Sequence, residues 1–189
     1  LYFLNQHYRD YRLIRVSLSG LSRLHHYRLG KCIARAAEQT GRKVVIIASG
    51  DLSHKLTVDG PYGYVKEGPE FDKAVTEAMA EGDFLRFLTM DEEFCEKAAE
   101  CGLRSFVIMA GALDGKAVKP RLLSYQGPFG VGYAVAAFEI TGDDPARCFD
   151  VIYEKQAREK LGKLRTQEPE PVRIARESLE YYLRTKKYL

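Results

Sequence analysis

The sequence of 189 residues has no long apolar run, no block of like charge and few cysteines, and each absence excludes a class of protein. Its four cysteines form no CxxC pair and are too sparse for a secreted disulfide scaffold, which favours a reducing cytoplasm. No apolar run is long enough to cross a bilayer, so a soluble protein is expected. The 29 basic and 26 acidic residues are mixed along the chain, so we do not expect nucleic-acid binding.

Two common catalytic and nucleotide-binding signatures are also missing. The glycines of "GPYGYVKEG" fit neither the Walker A pattern nor the dinucleotide fingerprint, which argues against a nucleotide-binding loop. Ser53 lies in "GDLSH", which lacks the G-x-S-x-G elbow that exposes a nucleophile. The sequence therefore argues against a serine hydrolase.

The first half of the chain predicts an α/β fold. Residues 12–19 alternate in the manner of a strand, and residues 43–49 form a continuous apolar run typical of a strand buried on both faces. Between them, Ser22 begins a predicted helix that Gly41 ends. A strand, a helix and a strand in this order predict a βαβ unit, and so a mixed, mostly parallel sheet flanked by helices.

Later segments predict more helices and one hairpin. Asp91 is a predicted N-cap with Gly102 as the stop of its helix, and "RSFVIMAGALDG" predicts a buried helix that Gly115 closes. "RLLSYQ" and "VGYAVAAFEI" predict two strands around the turn "GPFG", compatible with an antiparallel hairpin.

The character of the chain changes near Thr141. Residues 1–140 are predicted to form one domain and residues 141–166 a charged linker, while residues 167–189 open a further domain. In that last segment, Val172, Leu179 and Tyr182 belong to an apolar stripe, which is predicted not to pack on the first domain. Because the sequence opens on an apolar residue without an initiator methionine, we also expect a fragment of a larger protein.

The strand predicted at residues 43–49 ends in "GDLSH", which supplies an acid and an imidazole three residues apart. At the carboxyl end of a parallel strand, Asp51 could orient His54 for proton transfer, or the two could be a capped turn and a satisfied structural histidine. His25 and His26 are helix neighbours and cannot readily share a metal ion. Cys101 fits either a reactive thiol or, the favoured interpretation, a small packed residue.

Several motifs in order resemble one known family. They match the LigB-like class III extradiol ring-cleavage dioxygenases, in the branch that includes Memo and the AmmeMemoRadiSam system proteins. Residues 167–189 resemble the first helix of an AMMECR-type domain. The motifs that carry the LigB-like resemblance are "ASGDLSH", "GPYGY", "GPEFD", "ECGLRS", "GALDG" and "SYQGPFGVGYAVA".

The resemblance implies a non-haem Fe(II) centre held by two histidines and one glutamate, with a further histidine as acid/base. His54 matches the acid/base histidine, and Asp51 is its expected support. The two metal histidines are expected upstream of Leu1, and the glutamate position is occupied by Gln126, whose neutral amide should weaken Fe(II) binding.

The sequence thus leaves two functions open. One is an Fe(II)-dependent dioxygenase acting on a small aromatic or catechol-like substrate, with Tyr62 and Tyr64 at the rim of its pocket. The other is a non-catalytic Memo-like binding module that has lost the iron chemistry. Gln126 favours the binding module, whereas the Asp51 and His54 pair favours the enzyme.

Overall fold

The computed structural model describes residues 2–188, which form helices and one small sheet. The mixed α/β class predicted from the sequence is confirmed. In chain order the elements are α1 (Tyr2–His7), α2 (Arg23–Thr40), α3 (Glu67–Glu81), α4 (Phe84–Thr89), α5 (Glu92–Ala98), α6 (Leu103–Ala112), β1 (Lys116–Gln126), β2 (Tyr133–Asp143), a 3₁₀ turn (Pro145–Arg147), α7 (Phe149–Thr166) and α8 (Glu170–Thr185).

Strands β1 and β2 form the predicted antiparallel hairpin. Their register pairs Lys116 with Asp143 at one end and Gln126 with Tyr133 at the turn, with one register shift at Thr141 of β2 and another at Leu123 of β1. Small and apolar side chains on one face pack against the helices, while the other face carries exposed residues such as Leu123 and Val135. This one-sided burial is typical of an antiparallel pair that covers a core.

The hydrophobic core lies among the helices and the inner face of the hairpin. Helix α6 contributes most of its length to this core, as its apolar sequence predicts. Aromatic side chains fill the centre, with Phe84 in contact with Phe87, Phe138 and Phe149. Other buried core residues include Tyr27, Leu52, Phe71, Val75, Leu103, Phe106 and Val107.

Two glycines allow α2 and α6 to pack at close range. A Cβ atom at Gly30 would collide with the backbone of α6 at Ile108, and one at Gly111 would collide with the backbone of α2 at Tyr27. The helix between the predicted strands is therefore anchored by backbone contact as well as by the buried Tyr27 ring. The Tyr27 hydroxyl donates a 2.7 Å hydrogen bond to Asp114, just past α6.

The prediction that residues 12–19 and 43–49 are neighbouring parallel strands is wrong for the described residues. Both segments lack regular secondary structure, and the sheet that the structure does contain is the antiparallel hairpin. Their apolar side chains are largely exposed, with Ile14 84% and Val45 87% accessible. A strand is stable only when a neighbour satisfies its backbone groups, and apolar patterning alone does not provide that neighbour.

The predicted helix ends are correct at most positions. Gly41 ends α2 in a left-handed conformation, and the Asp91 side chain caps α5 by accepting a hydrogen bond from the Phe94 N–H. The prediction that Gly102 stops α5 is wrong. Ala99, with φ of 53°, already ends that helix, and Gly102 instead precedes α6, where a side chain would collide with the Asp51 carbonyl oxygen and the Phe106 ring.

Much of the predicted charged linker is helical. Strand β2 continues to Asp143. The first turn of α7 belongs to the core, because Phe149 is buried there and Asp150 Oδ2 forms an ion pair with Lys31 Nζ at 2.7 Å. The rest of α7 is largely exposed. Whether residues 141–166 link two domains stays a prediction.

Helix α8 carries the apolar stripe predicted for the end of the chain. Val172 and Leu179 on that stripe are more than half exposed. Ion pairs join α8 to α7 and to the turn before it, including Arg165 with Glu180 and Arg176 with Glu168. None of the helices in the described part of the chain combines the length and apolar character needed to span a bilayer.

Candidate functional site

The loop of residues 51–56 is held from both sides by backbone hydrogen bonds. The Leu52 N–H donates to the Gly132 carbonyl at 2.8 Å, and the Gly132 N–H returns a bond of 2.8 Å to the Ser53 carbonyl. The Leu56 N–H donates to the Gly130 carbonyl at 3.1 Å. On the other side, the His54 N–H donates to the Ala98 carbonyl at the end of α5. The hairpin turn and α5 therefore fix the path of the loop, independently of a parallel sheet.

The inner side of this loop is a buried polar network. Asp72 on α3 is 1% exposed and accepts hydrogen bonds of 2.7 Å from the Ser53 N–H and from the Tyr125 hydroxyl. Ser53 is fully buried, and its hydroxyl donates to the Ala98 carbonyl and accepts from the Lys55 N–H. Because the Ser53 hydroxyl is enclosed and bonded in this way, it is not available as a nucleophile, in agreement with the sequence.

Burial raises the pKa of Asp72 above its ordinary value. The hydrogen bonds from Ser53 and Tyr125 and the nearby imidazole of His54 offset part of that rise. Burial and the bond to Asp72 in turn raise the pKa of Tyr125. The network therefore keeps the Tyr125 hydroxyl protonated as a donor.

The outer side of the loop carries Asp51 and His54. Asp51 Oδ2 lies 3.4 Å from His54 Nε2, and their side chains are 43% and 22% exposed. The Tyr62 ring stacks on the imidazole, with centroids 5.3 Å apart and an interplanar angle of 25°. An imidazole that contacts a carboxylate and remains partly open to solvent can exchange protons with a small molecule.

Cys101 completes a cluster on this outer side. Its Sγ atom lies 3.9 Å from His54 Nε2 and accepts a 3.3 Å hydrogen bond from the Asp51 N–H. The interpretation of Cys101 as a small packed residue is wrong, because the residue is exposed. Donor atoms of Asp51, His54 and Cys101 all lie within 4.8 Å of one another. We call these three residues the outer cluster.

The other predicted site residues are Tyr62, Tyr64 and Gln126. Tyr64 is about half exposed and forms an isolated bridge with Leu56, whereas Tyr62 contacts His54 directly. Gln126 is exposed at the end of β1, next to the hairpin turn that bonds to the loop. A separate shallow cleft, between the starts of α2 and α5 and the side of α7, does not include His54. The roles predicted for these residues stay predictions.

The described residues do not match a two-histidine, one-carboxylate iron centre. His26 is buried and bonded to the Ser22 carbonyl, while His25 pairs with the Ser22 hydroxyl. His7 is exposed on α1. Among the described residues, His54 is therefore the one imidazole in the outer cluster, and such a centre requires a second.

Comparison with known proteins identifies the family. Residues 1–136, well over half of the chain, match the family described as the catalytic LigB subunit of aromatic ring-opening dioxygenase. The chain belongs to the LigB family. The matched region contains the whole outer cluster and the buried network beneath it.

Two curated relatives extend this result. Protein CA_C1420 of Clostridium acetobutylicum is 38% identical over 186 residues, which cover 98% of this chain and 39% of that protein. A 3,4-dihydroxyphenylacetate 2,3-dioxygenase of Escherichia coli is 31% identical over 123 residues, which cover 57% of this chain and 45% of that enzyme. The chain therefore spans less than half the length of either relative.

Sequence reasoning missed two residues of the buried network, Asp72 and Tyr125, and favoured the wrong interpretation of Cys101. Asp72 lies 19 residues from Ser53 and 53 residues from Tyr125, so no local pattern joins it to either partner. Cys101 lies 47 residues from His54. An acidic residue in the middle of the apolar face of α3 was the one available signal, since a buried acid needs a hydrogen-bonding partner.

Proposed function

We propose that this chain contributes the acid/base site of an extradiol ring-cleavage dioxygenase-like domain, with His54 as the proton carrier and Asp51 as its support. One observation carries the proposal. The Asp51 carboxylate lies 3.4 Å from His54 Nε2, and the pair is partly open to solvent within a region that matches the LigB family. Tyr62, stacked on the imidazole, supplies an aromatic surface beside it.

The chemistry assigned to the chain's own residues is proton transfer. An imidazole nitrogen can act as a general base and then as a general acid, so His54 can accept a proton from a substrate hydroxyl and later return it. The Asp51 carboxylate, 3.4 Å from His54 Nε2, is proposed to orient the imidazole for these steps. LigB dioxygenases are generally metal-dependent, and Fe(II) is the proposed metal. The described residues by themselves lack the second imidazole that a two-histidine, one-carboxylate iron centre needs.

A catechol with a small side chain is the proposed substrate class. The support is the relative named 3,4-dihydroxyphenylacetate 2,3-dioxygenase, whose similarity includes less than half of that enzyme. Exposed Tyr62 and Tyr64 are proposed to border the substrate pocket. A flat aromatic ring packs favourably on such side chains, with an edge-on or offset geometry.

We further propose a Memo-like LigB domain ending near residue 140, a connecting segment over residues 141–166, and the start of an AMMECR-type domain at residues 167–189. The similarity to Protein CA_C1420 supports a shared arrangement, since it extends through 98% of the chain and so beyond residue 136. The exposed apolar stripe on α8 also supports it, because such a stripe stabilises a fold only when another surface covers it. The proposed setting is the cytoplasm.

The test is His54→Ala in the full-length protein, assayed with Fe(II) and 3,4-dihydroxyphenylacetate by the absorbance of the ring-opened product. Loss of an acid/base group lowers the rate by about 10²- to 10⁴-fold. His25→Ala is the matched control, since His25 is exposed and bonded to Ser22 within its own helix turn. Equal activity of the His54→Ala variant and the wild type would contradict the assigned role.

A second function, a binding module without ring cleavage, is favoured by Gln126 at the position where the resemblance expects a glutamate. An amide offers an oxygen ligand without the negative charge that stabilises bound Fe(II). Metal analysis of the full-length protein, purified without added iron, separates the two functions. Bound iron and ring cleavage support the enzyme, whereas catechol binding without iron or turnover supports the module.

Gln126→Glu sharpens that distinction. If the missing carboxylate limits iron binding, the variant should bind Fe(II) at least about tenfold more tightly than the wild type, by analogy with other changes around a metal centre. Titration of Fe(II) under anaerobic conditions measures the change. A variant that binds no more iron than the wild type would remove Gln126 as the reason for weak binding.

A further inference from the structure

Asp72 joins two segments of the chain that carry proposed site residues. One carboxylate oxygen, Oδ1, accepts a 2.7 Å hydrogen bond from the Ser53 N–H, and the other, Oδ2, accepts one of 2.7 Å from the Tyr125 hydroxyl. Ser53 directly precedes His54 in the sequence, and Tyr125 directly precedes Gln126. A single carboxylate therefore connects the loop that carries the acid/base residue with the end of β1.

Helix α3 is a rigid support for this carboxylate. Phe71 and Val75, on the same helix as Asp72, are fully buried in the hydrophobic core. At the start of α3, Gly68 packs so closely on the loop that a Cβ atom there would collide with the Lys55 carbonyl oxygen. Functional groups held by packed secondary structure keep their positions more precisely than groups on free loops. Asp72 can therefore transmit the fixed position of α3 to the loop.

The hairpin turn between β1 and β2 is shaped to admit the same carboxylate. A Cβ atom at Gly132 would overlap Asp72 Oδ2, so a larger residue at this position would displace the acid. Gly132 also exchanges two backbone hydrogen bonds of 2.8 Å with the loop, since it donates to the Ser53 carbonyl and accepts from the Leu52 N–H. Helix α3, the loop and the hairpin turn therefore meet at the Asp72 carboxylate.

Asp72 acts on His54 through the backbone of the loop. The Ser53 N–H is held by Asp72, while the Ser53 hydroxyl and the His54 N–H both donate to the Ala98 carbonyl, at 2.8 and 3.2 Å. These bonds fix the peptide that leads into His54 and so the direction of its side chain. We propose that Asp72 is a positioning residue for His54, with the Tyr125 hydroxyl as its second anchor. This inference rests on the proposed acid/base role of His54.

A matched pair of tyrosine substitutions tests the positioning role. Tyr125→Phe and Tyr27→Phe each remove a hydroxyl that donates a 2.7 Å hydrogen bond to an aspartate, Asp72 in the first and Asp114 in the second. In the full-length protein, assayed with Fe(II) and 3,4-dihydroxyphenylacetate, Tyr125→Phe should lower kcat about tenfold with KM changed less than about twofold, because misplacement of His54 acts on the transition state. Tyr27→Phe should keep kcat. Equal falls in kcat would overturn the proposal.

Substitutions of Asp72 itself separate position from charge. Asp72→Asn keeps an oxygen that accepts from the Ser53 N–H and an amide group that can bond to the Tyr125 hydroxyl. It should retain kcat within about fivefold, whereas Asp72→Ala, which removes both bonds, should lower kcat by about 10²-fold. Both are assayed well below their melting temperatures, so that the folded protein is compared. An equal loss in the two variants would assign the effect to charge and overturn the positioning role.

Hydrogen exchange measured by mass spectrometry distinguishes this inference from the proposed function. Tyr125→Phe should speed exchange of the backbone amides at residues 52–56 and leave those of α2 unchanged, and Tyr27→Phe should do the reverse. This pattern does not require ring cleavage. If it appears while the wild type cleaves no ring, the proposed function fails and the positioning of His54 is still supported. Unchanged exchange at residues 52–56 in both Tyr125→Phe and Asp72→Ala would overturn the positioning role alone.

Discussion

The two sides of the loop at residues 51–56 hold their carboxylates in opposite ways. On the inner side, Asp72 is 1% exposed and accepts two hydrogen bonds, from Ser53 and Tyr125. On the outer side, the Asp51 side chain is 43% exposed and contacts His54. A buried acceptor of two bonds stabilises the fold, whereas an accessible carboxylate remains free to act on a ligand. The buried side of the loop thus stabilises the fold, while its exposed side carries the carboxylate that can act on a ligand.

The largest expected effect on stability comes from Asp72→Ala. The Ser53 N–H and the Tyr125 hydroxyl would lose their acceptor, and each donor left unpaired costs about 1–3 kcal/mol, so the free energy of unfolding should fall by about 2–6 kcal/mol. Urea unfolding measures this change. Asp51→Ala, the matched variant on the outer side, should change stability by no more than about 0.5 kcal/mol. Equal losses in the two variants would contradict the division between the sides.

A somewhat smaller loss is expected from Gly132→Ala. The added Cβ atom would collide with the Asp72 carboxylate, and such overpacking costs about 1–3 kcal/mol. In an Asp72→Ala background that collision is relieved, so the cost of the glycine substitution should fall by about 1 kcal/mol. A double-mutant cycle in urea measures this coupling. Additive losses would show that Gly132 does not act through Asp72.

Tyr125→Phe should cost less, because it removes one of the two bonds to Asp72 and leaves the Ser53 bond in place. The expected loss in the free energy of unfolding is about 1 kcal/mol, typical of a single hydrogen bond. The same substitution in the Asp72→Ala background should have little effect. A loss of similar size in both backgrounds would assign the stability to packing of the Tyr125 ring.

The smallest effect concerns pH. Because the folded protein raises the pKa of Asp72 above its ordinary value of 3.8, mainly through burial, the native state holds this proton more tightly than the unfolded chain. The resulting stabilisation is fully present below pH 3.8 and is lost as the pH rises through the raised value. The stability of the wild type relative to Asp72→Asn should therefore decline as the pH rises from 3.8. The comparison cancels the similar contribution of Glu100, whose pKa burial also raises. A difference that stays constant with pH would contradict the raised pKa.

The sequence predicted the parts of this protein that depend on neighbours along the chain. Helix α2 ends at Gly41, Asp91 caps α5, and the hairpin turns at "GPFG", as local patterns indicated. Asp51 and His54 are three residues apart, so their contact could also be predicted from the sequence. Residues 12–19 and 43–49 show the limit of such patterns, because apolar content predicts a strand without providing the neighbour that satisfies its backbone.

The sequence by itself thus determined most of the helix positions, the helix ends at Gly41 and Asp91, the hairpin, and the placement of an acid three residues before an imidazole. Only the tertiary structure decided what surrounds that turn. It placed Cys101 beside His54 and Asp72 beneath Ser53, across separations of 47 and 19 residues. Hydrogen bonds and donor clusters depend on distances of a few ångströms, and for residues far apart in sequence those distances are set by packing of the helices and the hairpin.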